Sequence, residues 1–226
     1  MTIDTRMNGV IHAALKRDLE RIALLVERPD DLSPARLQAI GGHAVWLMEL
    51  LHRHHTTEDE RLFPVMRANQ PDIGPLIDSM VAEHEAIASA VTTLEDAGRR
   101  AEAGEPGAAD ELGSAVAGLR RVLDPHLEHE ERSLSPLVAG SVTEEEWAVF
   151  EKGNTEGVKT PDLAFQGHWM LDNLDPAGVE VVKHQVPAVP RFVMVRFLGG
   201  AYRKRFDACW GGTPAAGVRA VRLVQD

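Results

Sequence analysis

Two short stretches carry side chains able to do chemistry. HHTTEDERLFP (54–64) and HLEHEERSLSP (126–136) superpose at His54 and His126, Glu58 and Glu130, Leu62 and Leu134, and Pro64 and Pro136, an offset of 72 residues. In each, a histidine and a glutamate stand four apart, which on a helix places them on one face, one turn above the other. Imidazole nitrogen and carboxylate oxygen without sulfur suit iron, manganese or zinc. The same offset carries His12 to His84, so the repeated set becomes His12, His54 and Glu58 in one half and His84, His126 and Glu130 in the other.

Helices must position these groups. Apolar residues recur at helical spacing from about Asp4 to Glu27 (Ile11, Leu15, Leu19, Ile22, Leu25), with Pro29 just beyond. Ser33 and Pro34 form an N-cap and first-turn pair for a second helix running to about Arg61, where Pro64 is expected to kink or end it, a short helical piece following to Ala68. A third helix is expected from about Pro75 to Ala101, ended by GEPG at 104–107, and a fourth from about Ala109 to Leu134, stopping near Pro136. Thr143 with Glu146 is a capping box for a short fifth.

The expected fold is all-α: an antiparallel up-down-up-down four-helix bundle over 1–150 with a helical C-terminal extension over 151–226. In an antiparallel hairpin, residues equally far from the turn lie level. His12 and His54 are equidistant from Ser33, and His84 and His126 from Glu105, so each hairpin brings its histidines level. Six ligand-type side chains can then meet at one end of the bundle, where two half-sites of two histidines and one glutamate suit two metal ions with bridging glutamates. The competing reading, an acidic, solvated helix end, does not account for the shared offset and both midpoints. His43, His52, His129, His168 and His184 have no repeat partner and read as surface or hydrogen-bonded histidines.

With 24 basic and 35 acidic residues the net charge is −11, which argues against a phosphate-binding surface and against nucleic acid as partner. One cysteine, Cys209, excludes an internal disulfide framework and a thiolate cluster. No signal-type or membrane-spanning apolar run is present, and the expectation is a cytoplasmic protein without a transmembrane segment. GNTEGVKTPD (153–162) reads as a polar linker, and FQGHWMLDNL and AGVEVVKHQV as helices. The segment 187–226 reverses the sign of the chain, with seven basic residues against two acidic. It suits a basic amphipathic helix that meets a partner or packs on the acidic bundle through Phe192, Leu198, Tyr202 and Phe206.

The histidine-carboxylate segments, with His12 in VIHAALKRDL and His84 in EHEAI, resemble those of hemerythrin-like proteins of the HHE cation-binding type, across roughly residues 5–140. The resemblance implies a non-heme centre of two iron ions, oxo- or hydroxo-bridged, with His12, His54, His84 and His126 as terminal ligands and Glu58 and Glu130 as bridges. It also implies reaction with a small oxidant, hydrogen peroxide, nitric oxide or O2, in oxidative or nitrosative stress defence. The alternatives are an iron or O2 sensor signalling through its C-terminal tail, and a simple store. Oxygen-carrying hemerythrins have a second histidine one turn after the third-helix ligand, where this chain has Ala88. The position is then open, or filled by His55; Glu131 competes with Glu130 as the carboxylate. The ligand set alone also admits zinc or manganese. The oligomeric state and the electron donor are not legible.

Overall fold

A computed structural model describes residues 3–185 and 198–223, which are almost wholly helical, with one isolated parallel bridge between Leu174 and Ala220. The four bundle helices are α1 (Arg6–Val26), α2 (Pro34–Thr57), α4 (Gly74–Ala103) and α5 (Ala108–His129). Between and after them run α3 (Phe63–Asn69), α6 (Ser135–Ser141), α7 (Glu144–Thr155), α8 (Thr160–Leu171), α9 (Pro176–Gln185) and α10 (Gly200–Cys209).

The termini form for local reasons. Ser33 Oγ accepts from the Arg36 amide ahead of Pro34, and Thr143 with Glu146 makes the expected reciprocal capping box on α7. Gly104, at a φ of 74°, takes the left-handed conformation that closes α4, its amide and that of Glu105 returning to the Ala101 and Arg100 carbonyls. At Gly41 an added Cβ would press on the Gly98 carbonyl and the Glu102 amide, so α2 and α4 cross backbone to backbone.

The two expected proline stops differ in detail. Neither Pro64 nor Pro136 ends its helix; each is preceded by a π-turn, Glu58–Leu62 and Glu130–Leu134, after which α3 and α6 continue. Phe63 and Ser135 donate to the Glu58 and Glu130 carbonyls, five residues back. One residue too many in the turn moves the ladder out of register just where proline has no donor to give.

α5 packs on α1 and α4, and α4 on α2, while α8 touches α1 and α10 lies along α2. The C-terminal helices thus wedge in between α1 and α2. One core cluster runs through Leu15, Leu19, Leu47, Leu94 and Leu123 and takes in Trp169, Tyr202, Cys209 and Trp210 from the extension. Each such buried side chain contributes about 1.5–3 kcal/mol. A second cluster, with Leu62, Phe63, Met80, Leu134 and Phe150, covers the far side of the repeated segments.

The expected linker is shorter than 153–162. Gly153 is buried within α7, where a Cβ would meet Thr57 and Arg61, and α8 already begins at Thr160. In the basic segment Tyr202 is buried and Phe206 packs on the core, as expected, but Leu198 is exposed. Phe192, Arg191 and Arg196 lie outside the described residues. Among the described residues no helix is long and apolar enough to cross a membrane.

Candidate metal centre

His12 comes from α1, His54 and His55 from the last turn of α2, His84 from α4, His126 from α5, and Glu58 and Glu130 from the first positions of the two π-turns. All seven are buried, between the two apolar clusters. His12 Nε2 lies 3.2 Å from His54 Nε2. Glu58 spans the gap between the hairpins: its Oε1 is 3.4 Å from His54 Nε2 and its Oε2 is 3.7 Å from His84 Nε2. Glu130 does the same, with Oε2 3.4 Å from His12 Nε2 and 4.0 Å from His126 Nε2.

Two groups of donors converge closely enough to hold a metal ion: His12, His54 and Glu130, and His55, His84 and His126. The six residues expected from the sequence are therefore brought together. His55, left open by the sequence, stacks on His84 with ring centroids 4.1 Å apart and an interplanar angle of 9°.

The outward ring nitrogens are fixed by carboxylates. His12 Nδ1 pairs with Glu131 at 2.9 Å, His84 Nδ1 with Asp59 at 2.9 Å, and His126 Nδ1 with Glu83 at 2.8 Å, Glu83 also taking His129 Nδ1 at 2.8 Å. A carboxylate accepting from Nδ1–H selects the tautomer whose Nε2 lone pair faces inward. Glu131, an alternative ligand from sequence, turns instead to orient His12. Asp59 and Glu131 are themselves 72 apart, so the orienting pair obeys the same repeat as the ligands, crossed between hairpins. That signal was available: each repeated glutamate is followed by a second acid.

Asn8, one turn before His12, had no such signal. Its Nδ2 donates to Glu130 Oε1 at 3.2 Å and weakly to Glu58 Oε1 at 3.5 Å. The inner atoms have no donors of their own: His55 Nε2, His84 Nε2, His126 Nε2, Glu58 Oε2 and Glu130 Oε2 are buried without a hydrogen-bond partner. Burial and the neighbouring Glu130 and Asp59 push the Glu58 carboxyl well up, and burial with surrounding imidazoles pushes His54 and His55 well down. His12 runs the other way: burial lowers it, but Glu130 and Glu131 raise it more.

Buried lone pairs left unpaired are strongly unfavourable, and a cation satisfies nitrogen and carboxylate oxygen together. The donor set therefore fits a hard-to-borderline metal ion, or a pair of them sharing Glu58 and Glu130. Cys209 is in neither group of donors, and burial pushes its thiol up to about 12. No curated protein and no solved structure matches the chain. The family model of the hemerythrin HHE cation binding domain matches residues 10–138, more than half of the sequence and the whole stretch from before His12 to beyond Pro136.

Proposed function

The chain belongs to the hemerythrin HHE cation-binding family, and from that premise we propose that it is a non-heme iron protein holding two ions. His12 and His54 would hold one, His55, His84 and His126 the other, with Glu58 and Glu130 placed to be shared between them. The observation that carries the reading is the set of five buried, partnerless nitrogen and oxygen atoms facing one another across the two hairpins. His55 takes up the role that Ala88 cannot fill, which leaves three nitrogen donors against two. The side with fewer donors, His12 and His54, is then the one with room for a small reactant.

Iron, when bound, supplies the redox chemistry toward hydrogen peroxide, nitric oxide or O2. The residues do the rest. Glu131, Asp59 and Glu83 hold protons on the outward nitrogens, and Asn8 fixes both bridging carboxylates from the side of His54. The apolar clusters above and below keep bulk water out, which strengthens every charge interaction inside. A sensor signalling through a detachable tail fits less well. Tyr202, Cys209 and Trp210 are built into the core, and a signal would have to unpack them.

Metal analysis and an optical spectrum of the protein as isolated test the proposal, repeated for His54→Ala and Glu130→Ala. About two irons per chain, the number that carboxylate-bridged bundle sites hold, with near-ultraviolet charge-transfer absorption lost in both variants, is the expected result. Consumption of peroxide or nitric oxide by the iron-loaded protein is expected to fall with the metal. Zinc, or no metal, with both variants unchanged would overturn it.

A further inference from the structure

A cavity of about 260 Å³ opens beside the centre, walled by α1, α2, α7 and α8, with His54 and Asn8 in its lining. It exists because the C-terminal helices wedge between α1 and α2. Its size does not match the oxidants named above. A water-sized molecule occupies about 30 Å³, and a cavity of about 150 Å³ holds benzene. A reactant of two heavy atoms would leave most of this space empty, whereas an aromatic ring with a short side chain fills it.

The wall chemistry narrows the occupant. Trp147, Phe150 and Trp169 present three aromatic rings, and Met7 and Met170 add thioethers, which pack well on ring edges. Arg53, the residue before His54, also lines the cavity; its guanidinium makes no hydrogen bond or ion pair among the described residues. An unpaired guanidinium on an apolar wall is a carboxylate receptor, because its planar fork matches two oxygens. Asn154 and Gln166 line it too and are likewise without hydrogen-bonded side-chain partners. Glu151 lies at the exposed rim, where water and salt screen its charge.

We propose that this cavity binds an aromatic monocarboxylate, its ring against the tryptophans and phenylalanine and its carboxylate on Arg53. Bound there, the molecule lies against His54, on the side proposed above to be short of donors. Its significance as co-substrate or regulator rests on the metal reading, while the binding itself does not.

Phenylacetate is the probe, titrated into the purified protein and followed by tryptophan emission and calorimetry, before and after removal of metal by chelation. Expected is saturable binding to one site in both forms, weakened about tenfold in Arg53→Gln, as loss of a charge-assisted pair requires. Phenylacetamide, which lacks the charge, is expected to bind wild type about tenfold less tightly and to ignore the Arg53 change. Met170→Trp, which fills the cavity, is expected to abolish binding of both. Failure of phenylacetate to saturate, equal affinity for the amide, or full affinity in Arg53→Gln would overturn the proposal. Iron without phenylacetate binding sinks this inference alone, and binding by a chain that takes up no iron sinks the metal reading alone.

Discussion

Two of the polar clusters buried among the described residues are built on opposite principles. Around Asp18, on α1, four donors converge on one fully buried carboxylate, with Asp172 as a second anion beside it. Arg17 Nε donates at 2.8 Å and Arg21 at 3.1 Å to Oδ1, while His43 at 2.7 Å and Trp169 Nε1 at 2.8 Å reach Oδ2. The partnerless atoms there are nitrogens of Arg17 and His43, and no carboxylate oxygen of Asp18 is among them. Around Glu58 and Glu130 the partnerless atoms include the carboxylates themselves, facing histidine nitrogens in the same condition. The first cluster carries its own cations and leaves no carboxylate oxygen of Asp18 open. The second has acceptors in excess, and the missing partner must come from outside the chain. Burial alone does not distinguish a structural cluster from a functional one; the balance of donors and acceptors does.

The sharpest way to break the comparison is to remove the hub of the closed cluster. Asp18→Ala leaves the two buried guanidinium groups with Asp172 as their remaining anion and strands His43 and Trp169 Nε1, and the expected loss is about 3–5 kcal/mol in urea unfolding. Burial opposes the charged form of Asp18, yet Arg17 and His43 hold its carboxyl well below the usual carboxylate range. A depressed folded value means the stabilisation is fully present above about pH 4, the unfolded value. It is lost progressively below that, until pH has fallen through the much lower folded value. Asp18→Asn should therefore flatten the acid limb of the stability profile.

The open cluster should respond to metal instead. Ferrous iron at a hundredfold excess over its dissociation constant stabilises by about 2.7 kcal/mol, a rise on the order of 8 °C in melting temperature for a chain of this size. Glu58→Gln should abolish that rise. In the metal-free chain the same substitution should change stability by no more than ~0.5 kcal/mol, because burial and Glu130 already favour a neutral side chain there. Asp18 variants should show the reverse pattern, unstable and still metal-responsive. A metal-free Glu58→Gln protein as damaged as Asp18→Ala would erase the distinction.

Much of this was legible in the sequence, and the reason is periodicity. The candidate ligands repeat at a fixed offset and lie level across turns marked by Ser33 and GEPG, so helix geometry places them without tertiary knowledge. Asp59 and Glu131 obeyed the same rule, but Glu131 read as a rival to Glu130 and Asp59 carried no expectation, since a residue beside a candidate ligand points away from it on a regular helix. The π-turns bring them into use, and a π-turn leaves no signature beyond the proline that follows it. Asp18, Arg17 and Arg21 were illegible for another reason. Their partners Trp169, Asp172 and Ala215 are about 150–200 residues away, and no local pattern announces a pairing across that distance. The wedge of the extension into the bundle, and with it the cavity at His54, followed from those pairings.

Smaller changes sharpen the contrast from its edges. Glu131→Gln and Asp59→Asn keep the shape of the orienting side chains but weaken their hold on His12 and His84, and iron affinity should fall by about 10–100-fold with unfolding of the metal-free chain unchanged. Tyr202→Phe makes the complementary small cut in the closed cluster. The Tyr202 hydroxyl donates to Asp172 Oδ2 at 2.7 Å, and the same oxygen also accepts from Arg21 at 2.6 Å. Removing the hydroxyl leaves Asp172 still paired with a cation, so the loss should stay near 1 kcal/mol, that of one net hydrogen bond. Iron content should be untouched, because Tyr202 is three steps removed from the candidate ligands through Asp172, Arg21 and the α1 backbone. If Tyr202→Phe lowered iron content while leaving unfolding unchanged, the two clusters would be energetically one, and the extension would act on the metal through α1.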